Sequence, residues 1–280
     1  MKNRRAFMKM GGLTAVAALT GGIPSIAKTK DQKVNKSTHK LKLGLASYSL
    51  RKFDTEQTVK MMARVGLTHV CLKSMHLPLD SDQAAISKTK VLLEQYGIKL
   101  AAGGVIYMKT KEEVDQAFKY AKKAGMEMIV GVPAHSLLAY VETKVKEYNI
   151  ILAIHNHGPG DEQYPSLGSI YDKIKDLDER IGMCHDIGHT QRIKLDPIKE
   201  TVRYFERIYD FHIKDVDQAN ADGKNIEIGH GVIDVVAFLQ LLTAMKFEGT
   251  VSFEYEKDAD DPLPGLAESV GYVNGVLAVI

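Results

Sequence analysis

Four residues far apart in the chain, His155, Asp186, His212 and Glu254, each fall at or near the end of a short apolar run. Two imidazoles and two carboxylates form a donor set for one borderline divalent cation such as Mn2+, Zn2+, Co2+ or Fe2+, whereas Ca2+ takes imidazole poorly. A cation held in this way acts as a Lewis acid and acidifies a C–H next to a carbonyl. With alternate positions counted as inward, the runs present Ala153 and His155, Cys184 and Asp186, His212 and Lys214, and Glu254 and Glu256. Packing alone does not explain such convergence. The plainer alternative is a hydrogen-bonded network without metal, since a buried histidine needs only one partner.

Other polar groups gather near the same run ends. His157 and His189 lie just beyond them, where they could orient a ligand or bond substrate hydroxyls. Lys73 and Lys214 are inward by parity and could hold a hydroxyl, carbonyl or carboxylate; the alternative for each is a solvent-exposed ammonium. His76, His135 and Tyr107 also follow apolar runs, supported by position alone. His69 and His185 are weaker candidates, the residues flanking His185 placing it on an outer face.

Composition removes whole classes of function. The 280 residues carry a net charge of +2, too little to hold nucleic acid or an anionic membrane by charge alone. Two cysteines, Cys71 and Cys184, exclude a disulfide scaffold and a Cys-x-x-Cys site. Any metal must therefore use His and carboxylates.

The elements that position these residues alternate. Apolar runs at 42–48, 69–73, 99–105, 128–132, 150–155, 182–186, 210–214 and 250–254 are separated by segments of helical periodicity. Thr55 with Glu56 opens a helix that Gly66 ends, Asp196-Pro197 opens another, and Gly97 and Gly125 close two more. Val114, Ala117, Phe118, Ala121 and Ala124 form one apolar stripe on a charged helix. About eight strands close a parallel barrel, and catalytic groups then sit at the C-terminal strand ends. We expect an α/β fold, a single (β/α)8 TIM barrel over residues 41–280. An open doubly wound sheet is disfavoured because no Gly-x-Gly-x-x-Gly follows an early strand.

Several motifs add a resemblance. Ala153-Ile154-His155-Asn156-His157-Gly158, Asp186-Ile187-Gly188-His189, Phe211-His212-Ile213-Lys214-Asp215, Val251-Ser252-Phe253-Glu254-Tyr255-Glu256 and Gly229-His230-Gly231-Val232-Ile233-Asp234 resemble the sugar phosphate isomerase/epimerase family of xylose isomerase-like TIM barrels. In ketose epimerases of that family Glu, Asp, His and Glu hold the metal, and the two glutamates move protons on opposite faces of the sugar. Here the first position is His155, which can bind metal but, once bound, is a poor acid or base for substrate. Glu254 is retained as the candidate base, with Lys214 or His157 as alternatives. The resemblance also directs attention to a substrate-binding carboxylate after the fifth strand, supplied here by Asp161 or Glu162, and to an arginine near the place where Gln218 stands.

The function implied is a divalent-metal-dependent isomerase or epimerase that removes a proton next to a carbonyl of a sugar or keto-sugar, through an enediolate. A keto-sugar lyase or hydratase working by β-elimination is the alternative on the same site, and a non-catalytic sugar-binding protein is the alternative of another class. The partner is a small sugar or keto-sugar; nucleic acid and stable membrane insertion are not expected, and a homo-oligomer stays open. Residues 1–30 resemble an export signal: Asn3-Arg4-Arg5-Ala6-Phe7-Met8-Lys9 matches a twin-arginine pattern with Asn3 in place of Ser or Thr, an apolar run from Gly11 to Leu19 follows, and Ser25-Ile26-Ala27 offers a cleavage site. An ordinary basic signal is the simpler alternative. Residues 31–40 are expected to be a disordered linker, and the mature protein to be periplasmic.

Overall fold

The computed structural model describes residues 39–280. The expected export signal at 1–30 and residues 31–38 of the expected linker lie outside the described residues. Among the described residues there are ten strands: β1 (Lys42–Ala46), β2 (His69–Leu72), β3 (Lys99–Met108), β4 (Met128–Pro133), β5 (Ile151–His155), β6 (Ile181–Asp186), β7 (Ile208–Ile213), β8 (Asp215–Val216), β9 (Asn225–Ile226) and β10 (Thr250–Phe253). Eight of them are parallel and close into a barrel in the order β1-β10-β7-β6-β5-β4-β3-β2. The seam joins the first and last strands, with Lys42 opposite Thr250 and Leu45 opposite Phe253. This is the expected TIM barrel.

The helices between the strands follow their local signals. In Lys111–Ala124 the Thr110 hydroxyl and the Glu113 carboxylate cap each other's backbone, and Gly125 ends the helix at φ 72°. Its buried face is Val114, Ala117, Phe118, Ala121 and Ala124, the stripe expected from the sequence. Asp196 caps Pro197–Tyr204 with proline in the first turn. Apolar helix faces and outward strand residues form the large core, whereas Cys71, Ala102, Met128, Val130, Ala153 and Cys184 fill the barrel interior as a separate cluster. Among the described residues no helix is long and apolar enough to cross a membrane.

Two features depart from the expected pattern. Strand β3 continues past residue 105 to Met108 because its register with β4 shifts between Gly103 and Ile106, so the strand resumes pairing with Gly131, Val132 and Pro133. The antiparallel ribbon β8–β9 was not expected, since two-residue strands are too short to show a period. The ribbon leads into a loop wrapped around one carboxylate. Buried Asp215 accepts N–H bonds from Val216, Gly229, Gly231 and Ile233. A side chain at position 231 would collide with it, a Cβ there lying 2.1 Å from Asp215 Oδ1. The Gly-x-Gly segment is thus a backbone cradle around Asp215. Replacing Asp215 by Ala orphans these donors and is expected to cost about 3 kcal/mol in urea unfolding, with Asp215→Asn costing less.

Candidate metal centre

Strand geometry brings the four expected ligands to one place. His155 ends β5, Asp186 ends β6, His212 is next to last in β7, and Glu254 directly follows β10, where its N–H donates to Ile213 O at 3.0 Å. All four are buried, with exposures of 2, 0, 1 and 6%. One donor atom from each lies within 4.8 Å of the other three. His155 Nε2 is 3.1 Å from His212 Nδ1 and 3.6 Å from Asp186 Oδ2, and His212 Nδ1 is 3.3 Å from Glu254 Oε2.

Local structure fixes each ligand. Asp186 caps the short helix Ile187–Arg192, its Oδ1 accepting from His189 N at 2.8 Å, while its own N–H donates to Asn156 Oδ1 at 2.9 Å. Oδ2 is then left buried without a hydrogen bond. Behind His212, Asp210 Oδ2 lies 3.6 Å from Nε2, and burial pushes the Asp210 carboxyl up to about 6. Burial also pushes His155 down to about 4, against the pull of Asp186, so its imidazole is neutral at pH 7 and free to donate a lone pair. A buried carboxylate oxygen facing a neutral imidazole suits a divalent cation, and the donor set matches one.

Lys214 stands in the middle of this charge. Its ammonium is 2.9 Å from Asp186 Oδ2 and 2.7 Å from Glu254 Oε2, and it also contacts Glu256 Oε1. Its stem crosses Gly188, where a Cβ would come within 2.4 Å of Lys214 Cγ. That approach is why the Asp-x-Gly-His turn carries glycine. Burial opposes ionisation of Glu254, yet the Lys214 ammonium and then His212 hold its carboxyl well below the usual range. For Asp186 burial is likewise outweighed, by His189 and Lys214.

The remaining candidates separate into groups. His157 and His189 line the mouth, their rings 4.5 Å and 5.9 Å from that of His155. Burial pushes His157 down and His189 down to about 3, so both are neutral hydrogen-bonding groups. Asp161 uses Oδ1 to accept from Gln163 N and Tyr164 N, and its Oδ2 stands 3.3 Å from His157 Nδ1. Glu162 is exposed. Lys73 lies above the Tyr48 ring, 5.1 Å from its centroid. His76 is tied among Ser47, Thr58, Leu50 O and Phe53 O, a core arrangement. His135 bonds Gln163 O, and His185 bonds Thr190 and Thr201 on the outer face, as its flanks suggest. Asp210 and Glu256, inward by parity, have no assigned role in the sequence reading. Their signal was the parity they share with His212 and Glu254.

Residues 49–274 match the xylose isomerase-like TIM barrel family. The chain belongs to that family. Among solved members of this fold, an uncharacterised protein from Parabacteroides distasonis is 26% identical, with TM-score 0.67 over 84% of this chain and 98% of that one. A 3-keto-D-glucoside 4-epimerase from E. coli is 15% identical, with TM-score 0.69 over 84% of this chain and 100% of that one. The IolI protein, solved with a bound zinc atom, is 15% identical, with TM-score 0.70 over 85% of this chain and 99% of that one. A curated relative, the rhizopine catabolism protein MocC of Rhizobium meliloti, is 25% identical over 153 residues, which span 47% of this chain and 44% of MocC. As a xylose isomerase-like barrel, the protein carries its polar cluster at the C-terminal strand ends, the face where such barrels place their chemistry.

The buried ion pairs predict a pH-dependent stability. A carboxylate whose folded pKa is depressed stabilises the fold above its unfolded pKa, near 4, and the contribution disappears as pH falls further. In chelator-treated protein, Lys214→Met is expected to cost about 3–5 kcal/mol at pH 7, because two buried carboxylates lose their cation. Urea titrations should find the gap between wild type and variant narrowing as the pH is lowered through 4, and added Zn2+ closing part of it at pH 7.

Proposed function

We propose that this protein is a divalent-metal-dependent enzyme of the isomerase/epimerase type that acts on a sugar or keto-sugar. The meeting of the buried His155, Asp186, His212 and Glu254, with one donor atom of each within 4.8 Å of the others, carries the reading. A cation bound by these four residues would supply Lewis acidity to adjacent substrate oxygens. Glu254, ionised and at the open end of the barrel, removes the hydrogen on the carbon next to the carbonyl. Lys214, shared between Glu254 and Glu256, stabilises negative charge developing on the substrate oxygen. His157 and His189 present neutral ring nitrogens to hydroxyls.

The likeness to a 3-keto-D-glucoside epimerase and to a zinc-bound protein of the same fold supports this assignment. His155 in place of a carboxylate also keeps β-elimination from a keto-sugar in view, and product identification separates the two outcomes. The export signal belongs to the same proposal: the mature enzyme works in the periplasm, and Arg4→Lys with Arg5→Lys is expected to retain the precursor in the cytoplasm on cell fractionation.

Elemental analysis of protein purified without chelator should find about one divalent ion per chain, lost in the Asp186→Ala, His212→Ala double variant. Metal content unchanged in that variant would refute the ligand set. With a panel of free, phosphorylated and 3-keto sugars in D2O, the metal-loaded enzyme should place deuterium beside the carbonyl. Glu254→Gln should slow this exchange by about 10²–10⁴-fold.

A further inference from the structure

We propose that Tyr107 is the second proton-handling group of this site, giving its phenolic hydrogen to the reacting carbon on the face away from Glu254. The assignment rests on the reaction proposed above. Inverting a centre next to a carbonyl needs a proton removed from one face and one delivered to the other. Glu254 serves one face. His155 is buried with Nε2 committed to the ligand cluster, and Lys214 touches Glu254 itself, so it stands on the same side.

Tyr107 is placed by the unusual length of β3. The register shift between Gly103 and Ile106 carries the strand to Met108, and Ile106 and Met108 turn outward into the main core. Val105 packs against both the main core and the cluster inside the barrel. Tyr107 shares the parity of Val105 and therefore stands over the mouth, with 49% of its surface exposed. Around the barrel β3 is three strands from β10, which leads into Glu254. The phenol stands against His157, whose ring is 4.5 Å from that of His155.

Its hydroxyl is held in position. Tyr107 Oη shares a hydrogen bond of 3.1 Å with His157 Nε2, and the two rings stack with centroids 5.8 Å apart and 25° between planes. Asp161 Oδ2 lies 3.3 Å from His157 Nδ1, placing a carboxylate beside the other end of the imidazole. Asp161, His157 and Tyr107 thus run in a line out to the rim. His157 and Asp161 are positioning residues, and Tyr107 is the residue that meets the substrate.

The step balances without a co-reactant. Glu254 takes the hydrogen from carbon, leaving an enediolate. The Tyr107 O–H bond then breaks as a C–H bond forms on the opposite face, the electron pair coming from the carbon–carbon double bond while the carbonyl is restored. The phenolate recovers a proton from water at its exposed edge, and Glu254 releases its own to solvent. Nothing is oxidised or reduced.

The test uses the full-length mature enzyme loaded with Zn2+ or Mn2+, in D2O, with L-ribulose and 3-keto-D-glucose as probes, followed by proton NMR. Wild type should both exchange the hydrogen beside the carbonyl and form inverted product. Tyr107→Phe, which removes one exposed oxygen, should keep exchange into recovered substrate within about threefold of wild type while inverted product falls by at least about 10²-fold. Inverted product within about threefold of wild type, or exchange and product falling together, overturns the assignment. Wild type that neither exchanges nor converts either probe refutes the parent reaction and this assignment with it.

Discussion

The mouth of the barrel depends on one buried cation, the ammonium of Lys214. Asp186 and Glu254 are withdrawn from water, and two such carboxylates side by side would be costly without a countercharge. Lys214 supplies it at hydrogen-bonding distance from both. The ammonium also makes any metal a competitor, since a divalent ion would draw on the same two oxygens. Glu256, at the rim and only partly buried, gives the displaced ammonium a partner. Gly188 beneath the lysine stem is a consequence of placing that charge so deep.

Much of this is legible in the amino-acid sequence. Strand parity alone put His155, Asp186, His212 and Glu254 on one surface, because in a parallel barrel the side-chain period and the strand ends together fix both direction and height. Helix boundaries at Gly66, Gly97, Gly125 and Asp196-Pro197 were legible for the same local reason. The missing parts have no periodic signature. The carboxylate of Asp215 works through backbone N–H groups up to eighteen residues away, and no side-chain pattern records that. Whether an inward lysine meets the ligands or an aromatic ring is set by rotamer and loop path, which separates Lys214 from Lys73 although parity treats them alike. Tyr107 was given by position alone because the shift in β3 register that lifts it to the rim leaves no trace in the hydrophobic pattern.

The exchange of a carboxylate for His155 changes the site in two connected ways. It removes one negative charge from a cluster that already contains a buried ammonium, easing the electrostatic cost of the assembly. It also takes away a group able to carry a proton at neutral pH, because burial keeps this imidazole neutral. In the proposed reaction, proton movement on that side would come from farther out, where side chains meet water. The ring-lined wall of Tyr107, His157 and His189 is built there.

The seam between β1 and β10 has a further meaning for how the protein comes into being. Hydrogen bonds between the first and last strands of the barrel close it, and the strand that seals the cylinder also delivers Glu254. Without β10, three of the four residues would sit on an open sheet with two unpaired edges. Closure and completion of the donor set are one event, so a cation bound by the full quartet reports that the barrel has shut, and its retention marks a finished molecule.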